Sequence, residues 1–180
     1  MSTIPSHLKN VDVFISEEKI QSRISQLGQE ITNDFAGEEI VVIGVLNGAF
    51  MFCADLIRQI KLPVHLEFMG ASSYGDGTES SGQLDITLDL KKSIEGKNVV
   101  VVEDIVDTGL TLKYLLADLK NRSPKSLKTC SLLHKPSKTQ HHIPINYLAF
   151  EVEDQFVIGY GLDLAGKYRE LPFIGLYRGE

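Results

Sequence analysis

The chain has few cysteines, no long apolar run and little positive charge, and each shortage excludes a class of protein. Its two cysteines, Cys53 and Cys130, lie far apart in 180 residues. That is no disulfide framework, and it predicts reduced thiols in a cytoplasmic protein. No window approaches the apolar length of a membrane span. The first ten residues, Met1 to Asn10, lack an apolar core, so no secretory signal is expected. A formal net charge of −6 argues against bulk nucleic-acid binding. Acidic residues are also missing locally: from Leu119 to Phe150 there is no Asp or Glu, while Lys120, Arg122, Lys125, Lys128, Lys135 and Lys138 fall there. This stretch reads as a solvated face plus a subunit contact rather than a nucleic-acid surface. Repeats and low-complexity tracts are absent too. One domain over 1–180 is expected, with a core at about 38–150 and a cap from about 1–37 and 151–180.

What is present is strand–helix alternation. Ser16-Glu17-Glu18 opens a helix with a capping hydroxyl and first-turn acids, and Ile20, Ile24, Leu27, Ile31 and Phe35 follow at helical spacing. Strands are expected at Ile40–Val45, Pro63–Met69, Leu84–Leu88, Val99–Val102, Leu127–Leu133 and Tyr147–Phe150, with helices from about Ala49 to Ile60 and from Leu110 to Lys120. The pattern predicts an α/β domain with a mainly parallel sheet. Ala71 to Gln83 is small, polar and glycine-rich, and reads as a long functional loop.

The densest chemistry lies in Val99-Val-Val-Val-Glu-Asp-Ile-Val-Asp-Thr-Gly-Leu-Thr111. A continuous apolar run is a strand covered on both faces, and the carboxyl end of such a strand is where α/β proteins bind ligands. After it, Asp107-Thr108-Gly109-Leu110-Thr111 opens a helix. Two hydroxyls, a glycine that permits close backbone approach, and free helix-start amides make an anion site suited to phosphate. Glu103 and Asp104 can accept from sugar hydroxyls or sit near a Mg²⁺ held mainly by substrate oxygens. Phosphate at one end and a diol or metal at the other describe a ribose 5-phosphate.

This run resembles the phosphoribosyl-pyrophosphate signature of the type I phosphoribosyltransferases. The resemblance implies their fold: a mainly parallel sheet flanked by helices, with a small hood from the N- and C-terminal segments. Further segments extend it. Leu46-Asn47-Gly48 resembles the loop that grips pyrophosphate through backbone amides, often with a cis peptide, although Asn47 stands where the family often has Lys. Ser73-Tyr74 resembles the lid of the purine branch, which excludes water from an oxocarbenium-like transition state.

Three segments point to the base and the leaving group. Lys135 resembles the lysine that donates to the C6 oxygen of a purine. Phe156-Val157-Ile158-Gly159-Tyr160-Gly161-Leu162-Asp163 resembles the C-terminal segment of the hypoxanthine-guanine branch. The resemblance implies that Phe156 stacks on the purine, that Val157 reads its edge, with Leu162 beside it, and that Asp163 sits near a second Mg²⁺. Arg169 matches an arginine that contacts pyrophosphate.

The implied reaction is transfer of the phosphoribosyl group from phosphoribosyl pyrophosphate to hypoxanthine or guanine, with Mg²⁺ as cofactor. Asp107 takes the N7 proton of the base. Thr108, Gly109, Leu110 and Thr111 hold the 5-phosphate, and Glu103 and Asp104 orient the ribose and metal. A homodimer or homotetramer is implied, with neither nucleic acid nor membrane as partner. Two alternatives stand beside this reading: a xanthine-preferring enzyme, and a non-catalytic regulator that senses phosphoribosyl pyrophosphate and binds nucleic acid. His134, His141 and His142 with Cys130 do not have the spacing of a zinc site.

Overall fold

The computed structural model describes residues 10–73 and 84–179. Its order is β1 (Val11–Ile15), α1 (Glu17–Asp34), β2 (Ile40–Leu46), α2 (Phe50–Gln59), β3 (Val64–Ser73), β4 (Leu84–Leu88), β5 (Asn98–Val106), α3 (Leu110–Asn121), β6 (Ser126–His134), β7 (Tyr147–Glu151), β8 (Val157–Ile158) and β9 (Ile174–Tyr177). Six strands form one sheet in the order β4-β3-β2-β5-β6-β7. Only the β3–β4 pair in it is antiparallel. A small antiparallel sheet, β1-β9-β8, forms a hood.

The valine run is explained by two cores. Val100 and Val102 join the apolar cluster that contains Ile20, Ile24, Leu27 and Ile31 of α1 and Phe52 and Leu56 of α2. Val99 and Val101 point the other way, into the cluster of Leu112, Leu115 and Leu119 of α3. With period-2 alternation and both faces covered, every position must be apolar. Full burial of a Val or Leu side chain contributes roughly 1.5–3 kcal/mol. Cys53 and Cys130 are free thiols inside the first core, and burial pushes Cys53 up to about 12. Among the described residues, no helix is long and apolar enough to cross a membrane.

Three expectations shift. β3 runs on through Ala71–Ser73, because β4 supplies an antiparallel partner that a reading of local composition misses. β5 continues to Val106 instead of stopping at Val102, because β6 pairs with it as far as Val106↔His134. Glu103 and Asp104 therefore lie within the strand. Finally, α1 packs on α2 and β7 of the main sheet, so of the described N-terminal residues it is β1 that pairs into the hood.

β2 and β5 are hydrogen-bonded neighbours from Ile40↔Asn98 to Gly44↔Val102. Beyond that point β2 continues against β3 and β5 continues against β6. The chain leaves β2 for β3 on one side, and β5 lies on the other. This is the strand-order reversal that opens a crevice at the carboxyl ends of an α/β sheet.

Candidate active site

Four segments meet around that crevice. The β2–α2 turn forms one wall. Its Leu46–Asn47 peptide bond is cis. Gly48 is buried, and a Cβ there would overlap Oδ2 of Asp104 on β5. Gly161 of the hood sits on the same turn: its φ is +98°, and a Cβ there would overlap the Gly48 carbonyl oxygen. Only glycine fits both demands at residue 161.

The turn after β5 leads into α3. Gly109 takes the left-handed conformation at the N-cap, φ 81°, and has no side chain to cap the helix. Its first turn has no acid. Contrast α1, where Ser16 accepts from the Lys19 amide and Glu17 and Glu18 occupy the first turn. One helix start is closed by its own sequence, and the other presents its amides and partial positive charge to a ligand. Thr108 is exposed and its Oγ accepts from the Leu110 amide at 3.3 Å; Thr111 is partly exposed.

The third segment follows β6. It is tied to the turn by the Lys135 amide on the Val106 carbonyl (2.9 Å) and the Gln140 and His141 amides on the Thr108 carbonyl (3.1 and 3.0 Å). The fourth is the hood. Tyr160 fixes it to α2 by donating to Asp55 at 2.6 Å; burial and that carboxylate push the phenol upward.

Between them lies a cleft of about 430 Å³. Asp104, Asp107, Lys135, Phe156, Val157, Leu162 and Asp163 line it together with Ile105, Lys138 and Asp154, which sequence reasoning did not select. Phe156 is 54% exposed, unusual for so large an apolar group, and Val157 and Leu162 are buried behind it. An open aromatic face beside a buried apolar wall suits a planar ring.

The charged groups divide into engaged and free. Lys135 is buried, with its ammonium on the Gln155 carbonyl (2.8 Å) and Asp154 (3.4 Å). Lys138 also reaches Asp154, at 3.1 Å. Arg169 donates to the Gly161 carbonyl (2.5 Å) and pairs with Asp163 at 2.8 Å, whose second oxygen accepts from the Gly166 amide. Sequence reasoning gave Arg169 and Asp163 separate tasks; the fold pairs them. Asp107 differs: its Oδ1 is buried and has no hydrogen-bond partner among the described residues.

Glu103 is buried, accepting from the Asp104 amide at 3.2 Å. Burial, then the neighbouring Asp104 carboxylate, pushes it well above the ordinary range. Adjacent, unneutralised carboxylates are an oxygen donor set suited to a hard divalent cation. No group of three or more His, Cys, Asp or Glu among the described residues could hold a metal by itself. The pair therefore fits an ion that brings other ligands with it. Ser73 ends β3, and Tyr74 lies outside the described residues, as does most of the expected loop. Asn47 is exposed on the β2–α2 turn.

The acid-free stretch is largely neutralised from elsewhere in the fold. Arg122 pairs with Asp89 and Asp118, Lys125 with Glu38, and Lys128 with Asp34.

Comparison with known proteins agrees with this geometry. The family model for the phosphoribosyl transferase domain matches residues 15–164. A hypoxanthine-guanine phosphoribosyltransferase of Dictyostelium discoideum is 48% identical over 168 residues, covering 91% of this chain and 93% of the relative. A hypoxanthine phosphoribosyltransferase of Haemophilus influenzae is 47% identical, covering 92% and 94%. Among solved structures, a hypoxanthine-guanine phosphoribosyltransferase from Bacillus anthracis matches with TM-score 0.88 at 49% identity, covering 92% of this chain and 97% of that one. A hypoxanthine phosphoribosyltransferase from Staphylococcus aureus matches with TM-score 0.93 at 40% identity, covering 99% and 97%. The chain belongs to the phosphoribosyltransferase family, alongside its hypoxanthine and hypoxanthine-guanine members.

Proposed function

We propose that this protein transfers the 5-phosphoribosyl group of phosphoribosyl pyrophosphate to N9 of hypoxanthine or guanine, giving IMP or GMP and pyrophosphate. The observation that carries the reading is Asp107 Oδ1. A buried carboxylate oxygen without a partner is costly, and such groups persist where a ligand supplies the donor. Here the oxygen belongs to a residue that lines a cleft with an open aromatic face, beside a helix start whose first turn has no acid. A purine whose N7 proton reaches Asp107 satisfies it.

The other roles follow from position. The amides and hydroxyls from Thr108 to Thr111 hold the 5-phosphate. Phe156 stacks on the base, Val157 and Leu162 close the apolar side, and Lys135 donates to O6, which selects 6-oxo over 6-amino purines. As N9 attacks the anomeric carbon, Asp107 takes the N7 proton as general base. The turn amides at Leu46, Asn47 and Gly48 face pyrophosphate; Asn47 brings no charge, so binding there rests on amide dipoles. The Arg169–Asp163 pair closes the same end, and Ser73-Tyr74 would cover it. Mg²⁺, held by Glu103 and Asp104 with Asp163 nearby, supplies neutralising charge for the pyrophosphate when bound with the cosubstrate.

We place the enzyme in the cytoplasm as a homodimer or homotetramer, with α1 in the core and a cap from the two outer segments of the chain. The paired basic residues leave little free charge for nucleic acid, which favours the enzyme over a regulator. Incubation with Mg²⁺, phosphoribosyl pyrophosphate and, in turn, hypoxanthine, guanine, xanthine and adenine tests the proposal. Nucleotide from hypoxanthine or guanine is the expected result; none from either base overturns it.

A further inference from the structure

Thr139 belongs to no motif, yet its hydroxyl joins three groups. It lies 3.2 Å from the carbonyl oxygen of Asp107, 3.1 Å from that of Lys135 and 3.0 Å from Nε2 of His134. A hydroxyl has one proton, and carbonyl oxygens only accept. All three contacts are hydrogen bonds at once only if the Thr139 proton is shared by the two carbonyls and Thr139 accepts from a hydrogen on Nε2 of His134. The other ring nitrogen, Nδ1, faces the Glu151 carboxylate at 4.0 Å.

Asp107 directly follows the crevice strand, and Lys135 begins the loop after the neighbouring strand. These are the two residues to which the proposed function gives neighbouring atoms, N7 and O6, on one edge of the purine. We infer that Thr139 is a positioning residue for base recognition: its hydroxyl, oriented by His134, fixes the proton acceptor and the O6 donor relative to one another. This rests on the proposed function for its consequence, though not for its geometry. The adjoining phosphate turn is held differently. Its ties to the same loop are main-chain bonds, from the Gln140 and His141 amides to the Thr108 carbonyl. The Gly109 Cα abuts the His141 carbonyl so closely that a Cβ would overlap it. Lys135 keeps one main-chain tie, its amide on the Val106 carbonyl, but the link from Lys135 to Asp107 runs through Thr139, so a side-chain change there loosens the purine half of the site and leaves the phosphate half tied.

Thr139→Val keeps the shape and removes the hydroxyl; Thr139→Ser restores it. Small misplacements at a reacting centre cost up to about a hundredfold. The expected result for Thr139→Val is a loss of about ten- to a hundredfold in kcat/KM for hypoxanthine, divided between kcat and the purine KM, with KM for phosphoribosyl pyrophosphate within about twofold of wild type. Thr139→Ser recovers most of the loss. Unchanged purine kinetics in Thr139→Val overturn the inference. So does an equal rise in both KM values, which would mean general loosening, or a serine variant as impaired as the valine one. A second readout needs no turnover: long-range proton–nitrogen spectra of the histidine rings should show Nε2 of His134 protonated in wild type and in Thr139→Ser. An unprotonated Nε2 in wild type overturns the arrangement. If wild type forms no nucleotide at all, the proposed function fails, while the ring spectra still judge the hydrogen bonds.

Discussion

The carboxylate of Asp104 occupies the space that a side chain at Gly48 would need. Two walls of the crevice, the β2–α2 turn and the carboxyl end of β5, therefore touch through a glycine. Gly48 lacks the positive φ that marks seven other glycines among the described residues, so the restriction is one of space and not of backbone conformation. Gly48→Ala must displace either the turn or the carboxylate. Overpacking of this kind costs roughly 1–3 kcal/mol. The expected outcome is a KM for phosphoribosyl pyrophosphate raised about tenfold, together with a lower midpoint in urea unfolding. Wild-type values for both would show that Asp104 moves aside freely.

Asp107→Asn tests the proton acceptor. The amide keeps the size of the side chain and loses the base. Turnover should drop by roughly 10²–10⁴, the range for a lost acid–base group, while the substrates still bind. Steady-state kinetics with hypoxanthine, set against the KM values, check this; near-normal kcat would remove Asp107 from the chemistry.

Lys135→Ala tests base choice. A hydrogen bond from a charged donor contributes about 1.5–3 kcal/mol, which is roughly ten- to a hundredfold in kcat/KM for a 6-oxopurine. Adenine offers no acceptor at that position and should lose little. Competition between hypoxanthine and adenine reads the ratio directly, and an unchanged ratio would leave Lys135 as a structural tie to Asp154 and Gln155.

Asp34, at the end of α1, accepts from Lys128 on β6 and from Tyr147 on β7. Those bonds, the lysine's first, hold its carboxyl below the ordinary 3.8. In the acid range the unfolded chain binds the proton more readily than the folded one. Its contribution to stability is therefore complete above 3.8 and is lost as pH falls through the lower folded value. The pair is half exposed, so the contribution is modest. Asp34→Asn should cost roughly 0.5–1 kcal/mol near neutral pH. The gap from wild type should close toward the acid limit, as followed by urea unfolding over a pH series. A constant gap would assign the effect to packing.

Much of this was legible in the chain. Of the residues expected to face inward, Ile20, Ile24, Leu27 and Ile31 are fully buried and Phe35, at the C-cap of α1, is buried as well, because period 3.6 leaves one face for the core. The valine run marked a strand covered on both sides for the same kind of reason. The extensions of β3 and β5 were not legible. Each depends on a partner strand distant in sequence, and neither Ala71–Ser73 nor Glu103–Asp104 has the composition of a strand. Lys138, Asp154 and Thr139 escaped because a lone polar residue carries no local signal; only a neighbour from another loop gives it a role.

By itself the sequence determined the parts: the strand–turn–helix that presents amides to an anion, the order of the elements, and the aromatic and acidic residues offered to a ligand. Those are local properties, set by side-chain period, β-branching and a glycine at a turn. Tertiary structure decided how the parts are wired. It opened the crevice between β2 and β5, because two strands that pair at their start part at their ends. It paired Arg169 with Asp163 and tied Lys135 to Asp154, and it left Asp107 Oδ1 without a partner among the described residues. Which carboxylate is neutralised and which is left for a ligand depends on distances between segments far apart in the chain, and only folding fixes those.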